Sequence, residues 1–150
     1  MSTTNQAPDP GSHPRYLTRF DGVRVLATEY RPVWLDNMAD DITMEGSAMD
    51  GVVQGPETVR LLVAYVRTLY DSQEFKFCGN YSEDGFLEDY TASVRGELLG
   101  NVVLITRNAA GQAQHVVINY RPRSSMLRLS RLIGEHFAGT PHGKHFVTGD

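Results

Sequence analysis

Two adjacent carboxylates, Asp40 and Asp41, stand just ahead of an apolar strand pattern, Ile42-Thr43-Met44-Glu45. Paired acids do acid–base work when their environments push their proton affinities apart. Neighbours on a strand point to opposite faces, so these two cannot share one site. The pair reads as a solvated turn, and the catalytic alternative is an inward-turned Asp41 acting as general base. Glu83, Asp84, Glu88 and Asp89 cluster around a hairpin signal and also read as solvated. The single cysteine, Cys78, lies in Phe75-Lys76-Phe77-Cys78, where a small half-buried apolar role is expected over a reactive thiolate. One cysteine permits no internal disulfide, which fits a reducing cytoplasm. No His, Cys and Asp set has metal-ligand spacing, so no metal is expected. Gly46, Gly51 and Gly55 are not followed by the Lys-Ser/Thr of a phosphate loop. There is no Gly-x-Ser-x-Gly elbow either, and no cofactor is expected.

The elements that must position any site are legible from the punctuation. Val23, Leu26, Tyr30 and Trp34 recur at helical spacing, with Pro32 interrupting. Two helical pieces, roughly 21–30 and 32–38, are therefore expected, bent near Arg31. A strand at 42–45 precedes a Gly-rich connection and a short strand at 52–54. Gly55-Pro56-Glu57 is a helix start, and Val59, Leu62, Val63, Val66 and Tyr70 form the apolar stripe of a helix over 56–71. Strands 74–81, 86–95, 98–107 and 112–121 then follow as an antiparallel meander. Asp84-Gly85, Gly96 and Asn108-Ala109-Ala110-Gly111 mark its turns. Pro122 ends the last strand. Ser124 or Ser125 caps a final helix with Met126, Leu129, Ile133 and Phe137 on its buried face, and Gly139 ends it.

The chain has 150 residues, 41 % of them hydrophobic, and a formal net charge of −4. That suits one domain with its own core. The mild negative charge argues against nucleic acid or an anionic membrane as partner. Arg121, Arg123, Arg128 and Arg131 bracket a helix start and read as a solvated helix face. No apolar run reaches the ~18 residues of a membrane span. Residues 1–14 are polar and read as a disordered tail, 15–140 as one domain, and 141–150 as a C-terminal tail. Helices followed by a run of strands mean α+β.

Several motifs point to one superfamily. Ala39-Asp40-Asp41-Ile42-Thr43-Met44-Glu45, the helix start at Gly55-Pro56-Glu57, the Asn108–Gly111 hairpin and the ending Tyr120-Arg121-Pro122 carry the likeness. The chain resembles the cone-shaped α+β proteins related to nuclear transport factor 2, ketosteroid isomerase and the SnoaL-like polyketide cyclases, over about residues 22–138. The resemblance implies a curved, mostly antiparallel sheet wrapped on three to four helices around a pocket. It places Gly46 where the isomerases keep their general base and Val103 where they keep an oxyanion-donating aspartate, so both carboxyl functions are missing. It implies a pocket walled by Tyr30, Trp34, Met44, Asn101, Val103, Val116, Ile118 and Tyr120. Asn101, Tyr30 or Tyr120 would polarise a ligand oxygen, and Asp41 is the one carboxylate left to nominate as base. Three functions follow as expectations: an enzyme acting on a small hydrophobic oxygenated metabolite, a non-catalytic carrier of one, or an adaptor. A homodimer is expected through the outer sheet face, which would carry His115, Val117, Asn119 and Arg121.

Overall fold

The computed structural model describes residues 16–18, 24–26 and 32–147. The chain runs β1 (Tyr16–Thr18), β2 (Arg24–Leu26), a 3-10 turn (Val33–Asp36), β3 (Met38–Gly46), β4 (Val53–Gln54), α1 (Pro56–Leu69) and β5 (Tyr70–Asn80). It continues with β6 (Gly85–Val94), β7 (Glu97–Arg107), β8 (Ala113–Arg121), α2 (Arg123–His136) and a 3-10 turn at Gly143–His145. All strands form one mixed sheet in the order β2-β1-β5-β6-β7-β8-β3-β4, six strands of which lie within 32–147. Only β1·β5 and β3·β8 are parallel; the remaining pairs are antiparallel.

The turn chemistry explains the meander. Arg95 and Gly96 both have positive φ, as a tight two-residue hairpin turn requires. At the β7–β8 turn the Asn108 side-chain oxygen accepts from the backbone N–H of Ala110 and of Gln112, both at 3.0 Å. That mimics a backbone turn and fixes the register beyond it. α1 starts where expected, with Pro56 in the first turn and Glu57 at the positive end of the helix dipole. Its Val59, Leu62 and Val66 pack on the sheet, joined by Leu129, Leu132 and Ile133 of α2.

Several expectations need correction. Among the described residues there are two α-helices, not three to four. The piece expected at 32–38 is one 3-10 turn, Val33–Asp36, because β3 begins already at Met38 and claims the rest. Of the helix expected over 21–30, residues 24–26 are the strand β2, and the others lie outside the described residues, as does the tail at 1–14. α2 begins after Pro122 without a side-chain cap; Ser125 instead donates to the Leu98 carbonyl at 2.9 Å. Within the segment expected as a tail at 141–150, the described residues 141–147 pack on the domain: Phe146 is buried in the core, and the Val147 N–H donates to Ser130 Oγ at 3.0 Å.

Candidate active site

Residues paired across neighbouring strands point to the same face, so the inner face of the sheet can be read in rows. One row runs Phe75–Tyr90–Asn101–Tyr120 across β5, β6, β7 and β8. The next runs Cys78–Glu88–Val103–Ile118–Gly46 and ends on β3. A third, Phe86–Ile105–Val116–Met44, is apolar. The first two rows, Trp34, α1 and the C-terminal segment enclose a mainly apolar cavity. A water-sized sphere can be centred in about 60 Å³ of it, and the whole concavity including its open mouth spans about 700 Å³.

The central polar group is Glu88. It is 3 % exposed, lines the cavity, and its Oε1 accepts from the Trp34 indole N–H at 2.7 Å. Beside it, on the same wall, is a tyrosine network. Asn101 Nδ2 donates to the Tyr90 hydroxyl at 2.5 Å, the Tyr90 and Tyr70 hydroxyls are 2.9 Å apart, and Tyr70 is also hydrogen-bonded to Tyr120. Tyr120 is half-buried as a residue, while its hydroxyl is enclosed. Burial pushes all three phenols well above the usual tyrosine range, charge repulsion from a neighbouring tyrosine adds to each rise, and the nearby Glu88 charge adds to it for Tyr70 and Tyr90. They are therefore neutral hydrogen-bond donors at any physiological pH.

The residues expected to wall a pocket fall in different places. Trp34, Met44, Val103, Ile118 and Tyr120 line the cavity. Asn101 is buried, at 1 % exposed, but stands behind Tyr90 and reaches the cavity only through it. Val116 is core packing under that wall, and Tyr30 lies outside the described residues. Asp41 does not belong: it is exposed, and its Oδ1 accepts from Gln114 Nε2 at 2.9 Å. Asp40 is exposed as well. Gly46 explains the absence of a base at its position, since a Cβ there would lie 1.9 Å from the Ile118 carbonyl oxygen. Glu88, Tyr70, Tyr90 and Gln73 were missed as cavity residues. For Glu88 the signal was present, because it shares the two-residue parity of Tyr90, Ala92 and Val94, all buried.

This architecture, a mixed sheet with two helices over a cavity on one face, is the cystatin-like, nuclear transport factor 2-like fold. The chain is similar to an uncharacterised cystatin-like protein from Silicibacter pomeroyi, at 15 % identity and a TM-score of 0.65, covering 71 % of this chain and 74 % of that one. It is similar to a steroid delta-isomerase from Pseudomonas aeruginosa, at 15 % identity and a TM-score of 0.63, covering 69 % and 77 %. A nuclear transport factor 2-like protein of unknown function from Burkholderia xenovorans has 14 % identity and a TM-score of 0.50, covering 60 % and 73 %. The expected superfamily resemblance thus holds at the level of the fold. No family model matches the sequence, and no curated protein matches it. No helix among the described residues is long and apolar enough to cross a membrane.

Proposed function

We propose that this chain binds a compact apolar molecule carrying a carbonyl or hydroxyl oxygen and moves a proton on it. Glu88 takes the proton from carbon and returns it, and a tyrosine hydroxyl holds the oxygen that gains charge. The observation that carries this reading is the buried Glu88 carboxyl on the same cavity wall as three neutral tyrosines. Glu88 and Tyr90 are two residues apart on one strand face, about 6.6–6.8 Å along the strand. That separation lets one small ligand reach both groups. The three hydroxyls share two bonds with one another, Tyr90 with Tyr70 and Tyr70 with Tyr120, so one hydroxyl proton at an end of this row is left for a ligand oxygen. Base and oxyanion donor are the two parts an enolisation needs. Glu88 pairs directly across from Val103, so a carboxyl stands one strand away from the position where the resemblance expected one.

The steroid delta-isomerase likeness supports the same reaction class but not the same ligand, because the enclosed free space is small. The test is solvent-deuterium exchange at the α-carbon of compact cyclic ketones, followed by NMR. Wild type is expected to catalyse exchange and Glu88→Gln to lose it by about 100-fold or more, while both proteins show the same ligand-induced rise in melting temperature. Binding without exchange in wild type would replace this reading with a non-catalytic carrier. We also propose a homodimer through the outer face of β8, where His115, Val117 and Asn119 alternate with the inward residues. Sedimentation equilibrium of wild type and Val117→Glu tests it.

A further inference from the structure

A second cavity lies on the other side of Trp34 and takes no part in the chemistry above. Trp34 lines both. A water-sized sphere can be centred in about 260 Å³ of it, more than in the first. Its floor is apolar, made by Trp34, Phe86, Ala113 and the exposed Val33, and among the described residues its polar side chains are Arg107, Asn37 and Asn80. Arg107 is held in place: its backbone N–H donates to the Asp84 carbonyl at 2.8 Å, and its Nη2 donates to Asn80 Oδ1 at 2.9 Å and the Glu83 carbonyl at 3.3 Å. These acceptors are neutral, and among the described residues no carboxylate lies within ion-pair distance of this guanidinium. Asn37 Nδ2 donates to the Gly111 carbonyl at 3.2 Å, which ties the rim to the turn that Asn108 stiffens.

From this geometry we infer that the cavity is a binding site for an amphipathic monocarboxylate, its carboxylate on the Arg107 guanidinium and its hydrocarbon on the Trp34–Phe86 floor. A planar guanidinium with N–H groups to spare matches a carboxylate in two-point geometry, which a neutral head group cannot reproduce. The apolar floor rejects small inorganic anions by offering them nothing on the remaining faces.

Trp34 is the only tryptophan, so its fluorescence reports the site directly. Titration of the full chain with octanoate, with octan-1-ol as the uncharged control, is expected to give a saturable change that octanoate produces at tenfold or more lower concentration. The octanoate response should weaken with added salt. Arg107→Gln should lose the octanoate preference. Should that variant fail to fold, Val33→Glu places a competing carboxylate at an exposed cavity residue and should raise the octanoate midpoint by tenfold or more. Ile118→Val, in the wall of the first cavity and not of this one, should leave octanoate binding unchanged, which separates the two sites. Equal binding of acid and alcohol, no saturable response, or octanoate binding unchanged in both the Arg107 and Val33 variants would overturn the assignment, whatever the outcome of the exchange assay.

Discussion

The two faces of the sheet each carry a hydrogen-bonded cluster with a glutamate in it. On the inner face Glu88, Trp34 and the tyrosines are sealed under α1 and α2. On the outer face Thr43 Oγ1 lies 2.5 Å from His115 Nδ1, and Glu45 Oε2 lies 3.2 Å from His115 Nε2. An imidazole that donates its Nε2–H to Glu45 accepts at Nδ1 from the Thr43 hydroxyl, so the outer cluster is as well connected as the inner one. The difference is solvent. In the single chain the His115 and Glu45 side chains are 34 % and 47 % exposed, so in the monomer water competes for the bonds they make. Inside, the polar groups answer one another in place of water, and removing one leaves its neighbours short of a buried hydrogen bond. Connectivity is similar on both faces, and dielectric surroundings decide which cluster matters to stability and chemistry.

High pH should separate the faces most sharply. An unfolded tyrosine ionises near pH 10, whereas the folded state holds Tyr70, Tyr90 and Tyr120 neutral beyond that. Their contribution is full below about pH 10 and is lost as pH rises further, because the unfolded state releases protons the folded state keeps. The slope approaches ~1.4 kcal/mol per pH unit for each such tyrosine. Melting temperatures should therefore be steady through neutral pH and drop steeply above about 10, and a Tyr70→Phe/Tyr90→Phe/Tyr120→Phe variant that folds should drop less.

At the edge of the inner face, Gly46→Ala should cost about 3 kcal/mol in urea unfolding, since its new Cβ would meet the Ile118 carbonyl and force β3 off β8. An unchanged midpoint would mean that the β3–β8 contact is looser than described. Tyr90→Phe should cost about 2 kcal/mol, because it removes the acceptor for the buried Asn101 amide and the partner of Tyr70. The smallest effect belongs to the outer face: at concentrations where the chain is monomeric, His115→Ala should change stability by no more than about 0.5 kcal/mol. A His115 effect as large as that of Tyr90 would break the comparison.

Much of the fold was legible because its signals are local. Gly55-Pro56, Asp84-Gly85, Gly96 and the Asn108–Gly111 turn each act through their own backbone, and the strands and helices they bound lie within a few residues of the expected limits. The first helices were not legible in that way: the helical spacing from Val23 to Trp34 gave way where Arg24–Leu26 paired with Tyr16–Thr18. Asp41 was a misplaced nomination that strand parity argues against, since it falls on the outward side with Thr43 and Glu45. Glu88 was misjudged in the opposite direction, because Glu83, Asp84 and Asp89 around it made a solvated cluster the natural reading.

The amino-acid sequence by itself determined the order of elements, the turn positions and the two-residue parity of each strand, since these depend on neighbours along the chain. Only the tertiary structure decided that Glu88 is buried. Burying a carboxyl is costly unless donors meet it, and one such donor, Trp34, lies 54 residues away in sequence. The same holds for the tyrosines: Tyr70 opens β5, Tyr90 sits on β6 and Tyr120 on β8. Local spacing could not bring their hydroxyls together, and the register of four strands did.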